Sequence, residues 1–354
     1  MTKNILYIGW VGFGNQGDDL CYEIFADRVS RKAQEQGLEV NIDGIYPANF
    51  NEFTLARKAP DLVVLGAGSL FEPVYLKPLV LASQNSINTA IWGSGYDSML
   101  ESPIQASGIN PDSAFMIRQV VQNAQLLGVR GPYTMEMLEV IGASNPRLDI
   151  VGDPGLLLDQ WDSPAPLPEL DHIQSPIVAV NWGTASHKVL GGDEKPVARD
   201  LRDALSSLGK SMAIVIYPVW SRDIPACTNL YQELNHPNCV LLDRVPSMGE
   251  LITLYTRSVF SVNMKLHANV FSAALDCPFL CLAYRMKGWD FGSSLGWTHF
   301  TILFSDPDRK EKMLRGLDEL QRDWESPKTL LQERRKQLQS RVSSLTDGLL
   351  ALLK

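Results

Sequence analysis

Ser258-Val259-Phe260-Ser261-Val262-Asn263-Met264-Lys265-Leu266-His267-Ala268-Asn269-Val270-Phe271-Ser272-Ala273-Ala274-Leu275 decides the reading of this chain. Val259 to Val262 is a short apolar, β-branched run of the kind that forms a buried strand, and Ala268 to Leu275 is a small-residue helix. Between them stands Lys-x-His. In open parallel sheets ligands collect at the carboxyl ends of strands, where helix N-termini offer unpaired N–H groups to negative charge. Lys265 and His267 therefore mark a candidate anion site. A solvated loop lysine and a capping histidine remain the plainer alternative.

The same strand–turn–helix unit recurs outward from this point. Asn4 to Gly9 reads as a first strand, followed by a glycine turn, a helix from about Asp18 to Gln36 and a second strand, Leu38 to Ile42. Apolar runs follow at Asp61–Leu65, Asn88–Trp92 and Leu126–Val129, then at Pro176–Val180, Met212–Tyr217, Cys239–Leu242 and Phe279–Ala283. Strands alternating with helices predict an α/β protein with parallel sheets. At 354 residues the chain exceeds a usual single domain. Ser163-Pro164-Ala165-Pro166-Leu167-Pro168 is its clearest linker, because proline interrupts helices and strands alike.

These boundaries give an N-terminal Rossmann-like domain over 1–162 and a Pro-rich linker over 163–175. A C-terminal Rossmann-like domain over 176–325 faces the first across a cleft. In 326–354, Leu331, Leu338, Val342, Leu345, Leu349 and Leu352 form the stripe of an amphipathic helix. It packs back across the domains, or serves as a membrane-surface or partner helix.

A net charge of −8 with no long Lys/Arg run excludes nucleic acid as the main partner, so any anion site is local. The five cysteines show no CxxC pair and no zinc spacing, which fits reduced thiols in a cytoplasmic protein. No run reaches the roughly eighteen apolar residues of a spanning helix, which leaves at most peripheral contact with the inner face of a membrane. Nothing in the sequence fixes the oligomeric state, and a homo-oligomer stays open.

Gly12-Phe13-Gly14-Asn15-Gln16-Gly17 fits the dinucleotide pattern G-x-G-x-x-G, with Asp43 in place for a ribose. Asp18 and Asp19 in the first helical turn argue against it, since they complement the dipole and repel a pyrophosphate. A neutral, hydroxyl-rich ligand fits better. Gly14 and Gly17 permit close backbone approach, Asn15 offers an amide, and Asp18 or Asp19 accepts hydrogen bonds or a proton from a hydroxyl, although both are also ordinary helix-start residues. Two more glycine turns, with Gly66, Gly68 and Ser69 and with Gly93 and Gly95, also follow strands and predict a groove for a sugar. Arg130, Arg285 and Lys287 each stand just after a strand and, with Lys265 and His267, make a candidate basic pocket.

Five stretches carry a family likeness: GFGNQGDD at 12–19, DLVVLGAGS at 61–69, VRGPYTMEMLEVIGA at 129–143, VGDPGLLLD at 151–159 and KLHANVFSAALDCPFLCLAY at 265–284. Through them the chain, from about Asn4 to Gly296, resembles the polysaccharide (ketal-) pyruvyl transferases. The resemblance implies a glycosyltransferase-B-like architecture. It also implies transfer of the enolpyruvyl part of phosphoenolpyruvate to sugar hydroxyls of a cell-surface glycan precursor, with release of phosphate. The acceptor would be nucleotide-linked, lipid-linked or an oligosaccharide. By the same likeness Arg130 binds phosphoenolpyruvate and His267 is the histidine of an Arg-x-His motif; Lys265 and Arg285 or Lys287, cations at strand ends, are expected to hold the carboxylate and phosphate with Arg130.

The chain departs from the family in having Lys265 where arginine is usual, in Gly131-Pro132 after Arg130, and in Asn181-Trp182-Gly183, where an arginine is often found. With the phosphate charge met by side chains, neither metal nor cofactor is expected. A nucleotide-sugar glycosyltransferase of the same architecture is the competing enzyme, and a non-catalytic sugar- or phosphate-binding protein the competing class.

Overall fold

A computed structural model describes residues 2–99, 109–160, 163–186, 192–234 and 236–354. Trp161 and Asp162, where the expected first domain ends, lie outside the described residues. The chain divides into two compact units, 1–155 with 337–354, and 156–336.

In the first unit six strands alternate with helices: β1 (Lys3–Ile8), α1 (Gln16–Glu35), β2 (Val40–Ile45), α2 (Glu52–Lys58), β3 (Leu62–Leu65), α3 (Pro73–Gln84), β4 (Asn88–Ser94), α4 (Pro111–Asn123), β5 (Leu126–Val129), α5 (Pro132–Val140) and β6 (Leu148–Ile150). The sheet is parallel in the order β2-β1-β3-β4-β5-β6. Leu62 to Leu65 are wholly buried, as strands covered by helices on both faces must be. Proline opens α3, α4 and α5 within the first two helical positions, where its missing N–H costs nothing.

The second unit holds β7 (Ile177–Asn181), α6 (Glu194–Ser206), β8 (Ala213–Tyr217), α7 (Ile224–Glu233), β9 (Cys239–Leu241), α8 (Met248–Arg257), β10 (Ser258–Asn263), α9 (Leu266–Ala274), β11 (Phe279–Ala283), α10 (Met286–Ser294), β12 (Thr301–Leu303) and α11 (Arg309–Arg322). Its parallel sheet runs β12-β11-β10-β7-β8-β9, the Rossmann order. The last helix, α12 (Glu325–Ala351), begins in the second unit and ends in the first. Leu331, Leu338, Val342, Leu345 and Leu349 of its apolar stripe are buried, whereas Leu352 lies past the helix end and Leu353 takes the core position.

The boundary between units falls at Gly155/Leu156, ahead of the prolines. The Pro-rich stretch is not a free linker but part of the second unit: Ala165 N–H donates to the Gly249 carbonyl, and Thr253 Oγ1 donates to the Ala165 carbonyl. No helix among the described residues is long and apolar enough to cross a membrane. All five cysteines are free.

Candidate functional site

A parallel sheet opens a crevice where its strand order reverses, and each unit has one such point. In the first unit it lies between β1 and β3. The turn after β1 is shaped by Gly12 and Gly14, both at positive φ, and by Asn15, which caps α1 by accepting from Gly17 N–H at 3.3 Å. Asp19 Oδ1 accepts from Gly12 N–H at 2.8 Å and so closes the turn on itself. Asp18 faces the turn after β3, for a Cβ placed on Gly68 would sit 3.1 Å from its Oδ1. Gly68 (φ +114°) in turn accepts from Gly95 N–H at 2.8 Å. Gly93, at φ +74°, packs so closely on Pro154 that a Cβ would come within 2.3 Å. The three glycine turns thus form one continuous floor.

Arg130 belongs to that floor and not to the second unit, where Lys265, Arg285 and Lys287 stand. Its guanidinium is fully buried, donating to Ser69 Oγ at 3.3 Å and to the Tyr96 carbonyl at 2.9 Å. Gly95 makes the space, since a Cβ there would lie 2.3 Å from the guanidinium carbon. In this conformation Arg130 braces two turns, tying Ser69 to the Tyr96 carbonyl. Asp43, considered above for a ribose, pairs instead with Lys58.

In the second unit the reversal lies between β7 and β10, where the decisive Lys-x-His turn sits. Asn181, wholly buried at the end of β7, joins three strand ends. Its backbone carbonyl accepts from Met264 N–H at 3.1 Å, its Oδ1 from Lys265 N–H at 3.0 Å, and its Nδ2 donates to the Tyr217 carbonyl at 3.2 Å. The position where arginine is often found therefore fixes the backbone of the Lys265 turn.

Lys265 caps α9, and its ammonium meets Asp223 Oδ1 at 3.0 Å and the Thr184 carbonyl at 2.8 Å. Asp223 is fully buried, also accepts Thr184 N–H at 3.0 Å, and its Oδ2 makes no hydrogen bond among the described residues. Burial pushes its carboxyl above the usual carboxylate range, only partly offset by Lys265 and by the Thr184 N–H. Gly183 leaves room for the pair: a Cβ would lie 2.4 Å from Asp223 Oδ1 and 2.5 Å from Lys265 Cε.

Half-buried His267 occupies the first turn of α9, its ring stacked on Phe271 one turn later at 6.1 Å. Arg285 caps α10, and Lys287 follows within its first turn. The ammonium groups of Lys265 and Lys287 lie 5.3 and 5.2 Å from the centroid of the Tyr284 ring, which draws both cations to one aromatic. Neither α9 nor α10 has a side-chain cap, and cations at helix N-termini oppose the dipole, so an anion there meets N–H groups and cations together.

Asp223, Thr184 and Tyr284 escape sequence reasoning that looks for cations after strands. The available signal was an acid after the strand Met212–Tyr217, in Ser221-Arg222-Asp223-Ile224-Pro225. Asp153 is likewise missed. It is a buried carboxylate that accepts from Gly155 N–H at 3.0 Å and helps to raise the Cys21 thiol, whose burial is the main cause.

Residues 15–285 match the sequence profile of the polysaccharide pyruvyl transferase family. No curated protein matches the chain. Among solved structures, S. aureus MnaA with UDP is 12% identical at a TM-score of 0.65, covering 98% of this chain and 95% of its own. UDP-GlcNAc 2-epimerase from Neisseria meningitidis, bound to UDP-GlcNAc, is 10% identical at 0.62, covering 99% and 100%. A UDP-forming α,α-trehalose-phosphate synthase from Burkholderia vietnamiensis is 12% identical at 0.60, covering 100% and 98%. These likenesses show the expected α/β, glycosyltransferase-B-like fold.

Proposed function

Because the chain belongs to the polysaccharide pyruvyl transferase family, we propose that it moves the enolpyruvyl group of phosphoenolpyruvate onto two hydroxyls of a sugar, forming a pyruvate ketal. The observation that carries this reading is the second unit's crevice, where Lys265, His267, Arg285 and Lys287 stand at the uncapped starts of α9 and α10. The cations and helix N–H groups hold the phosphate and carboxylate. His267 delivers a proton to the methylene carbon, which leaves electron deficiency at the adjacent carbon. A first hydroxyl adds there and loses its proton, with Asp18 or Asp19 as the accepting carboxylate. Phosphate then leaves with its bridging oxygen, and a second hydroxyl closes the ketal. One of the two hydroxyl protons replaces the one passed to carbon, and the other leaves with the phosphate. The first unit supplies the acceptor floor of Gly14, Asn15, Gly17, Gly68, Ser69, Gly93 and Gly95, braced by Arg130.

The test is inorganic phosphate release from phosphoenolpyruvate across a panel of free, nucleotide-linked and lipid-linked sugars. His267→Gln is expected to slow release by about a hundredfold or more. Near-normal release by that variant removes His267 as the acid. Release of a nucleoside diphosphate from a sugar nucleotide, with none of phosphate from phosphoenolpyruvate, replaces the whole reading with glycosyl transfer.

A further inference from the structure

Trp10 and Phe13 flank Gly12 on the turn between β1 and α1, and both are large apolar side chains left open to solvent, 36% and 48% exposed. Their rings stack, with centroids 4.4 Å apart and planes 30° apart. Both meet Tyr46, just past the end of β2, edge-on at 5.1 Å, and Tyr46 meets Tyr75 of α3 at 5.9 Å. Nothing in the folding of the turn requires this: a glycine turn capped by Asn15 forms without aromatic neighbours, and exposed apolar rings grouped together mark a contact surface.

The groups around the rings say what kind of contact. Asn15 follows on the same turn, and Asp18 and Asp19 stand in the first turn of α1. Tyr75 has its hydroxyl raised by burial first, then by Glu72, Tyr46 and Asp18, so the aromatic group and the carboxylates share one field. Aromatic faces suit the C–H faces of a pyranose, and amides and carboxylates suit its hydroxyls. The same carboxylates repel the phosphates of a nucleotide or an anionic bilayer.

We propose that Trp10, Phe13 and Tyr46 form an aromatic platform on which an uncharged sugar ring of the acceptor stacks, beside the hydroxyl-binding carboxylates at the start of α1. This deepens the acceptor side of the function proposed above and rests on it. The platform makes the first unit a reader of glycan shape, with the phosphoenolpyruvate side unaffected by it.

The experiment compares wild type with Trp10→Ala, Phe13→Ala and Phe13→Tyr. Binding is measured to an immobilised panel of neutral hexose and hexosamine oligosaccharides, alongside KM for acceptor and for phosphoenolpyruvate, and the thermal midpoint. Each alanine variant is expected to weaken glycan binding and raise acceptor KM about tenfold, by the energy of one lost aromatic contact. KM for phosphoenolpyruvate and the thermal midpoint stay unchanged, and Phe13→Tyr retains binding. The platform is overturned by equal glycan binding in wild type and both alanine variants, by a wild type that binds no glycan on the panel, or by an unchanged acceptor KM. It is equally overturned if the property lost in the variants is binding to phosphatidylglycerol vesicles. Failure of the parent reading looks different: wild type releases no phosphate from phosphoenolpyruvate with any acceptor, while glycan binding still falls in the alanine variants.

Discussion

Asp223→Asn isolates the electrostatics of the Lys265 turn, because it removes one charge while keeping shape and an acceptor for Thr184 N–H. The paired atoms lie 3.0 Å apart, with Asp223 fully buried and the Lys265 side chain 12% exposed. Removing one partner of a buried ion pair costs about 3–5 kcal/mol, since the remaining charge stays desolvated. Lys265 keeps the Thr184 carbonyl and the Tyr284 ring, which places the loss at the lower end, about 3 kcal/mol. For a unit of this size that is roughly a 6–12 °C fall in thermal midpoint.

The informative step is adding phosphate. A lysine freed of its carboxylate and facing an anion site gains more from the anion than the paired lysine does. Saturating phosphate, at about 100 times its Kd, returns roughly 2.7 kcal/mol to the variant. Thermal unfolding with and without inorganic phosphate reads both effects. A midpoint within about a degree of wild type refutes the buried pair, and equal phosphate shifts in the two proteins refute the anion site.

Acidity supplies a second test of the same carboxyl. Its pKa is raised in the folded chain, so the folded state holds the proton more tightly than the unfolded one. The group's stabilising share is complete below the ordinary value of 3.8 and is lost as pH rises through the raised value; Asp223→Asn should flatten that slope in stability measured against pH. Glu250 has the opposite sign. Its hydrogen bond with Arg244 is the main cause that lowers it from 4.5 to about 2, so its contribution is present above pH 4.5 and lost as pH falls toward 2. Arg244 is 44% exposed, and solvent screening cuts the effect to about 1 kcal/mol, which Glu250→Gln should remove in urea titrations at pH 6 but not at pH 2. Gly95→Ala drives a methyl into the Arg130 guanidinium and should cost about 1–3 kcal/mol by overpacking, with release of the Tyr96 contact visible as faster amide exchange in the turn after β4. Unchanged stability there means the guanidinium moves freely.

The strands were legible wherever they are continuous apolar runs, because a doubly covered parallel strand has no polar face to confuse the pattern. Leu62–Leu65 and Phe279–Ala283 are such runs. Strands β6 and β12, each three residues long and without the apolar run that made the equally short β9 readable, were found only in three dimensions. At the site, the Lys-x-His turn was legible as a charge signal at a strand end. Asp223 was not, since its partner lies 42 positions away in sequence and only the β7/β10 reversal brings them together. The orientation of Arg130 was equally illegible: position after a strand does not say which way a guanidinium points, and Gly95 makes the space that it fills.

The first unit is assembled from both ends of the chain. Trp92 Nε1 donates to Thr346 Oγ1 at 3.0 Å, Asn88 Nδ2 to the Leu352 carbonyl at 2.8 Å, and Gly348 packs on Leu126. On a ribosome, therefore, the first unit's sheet is translated early but is left with an uncovered apolar face until residues 337–354 emerge. The second unit, contiguous in sequence, has every residue it needs first. Nascent chains of this protein should thus present their leucine- and isoleucine-rich N-terminal strands to chaperones for nearly the whole time of synthesis.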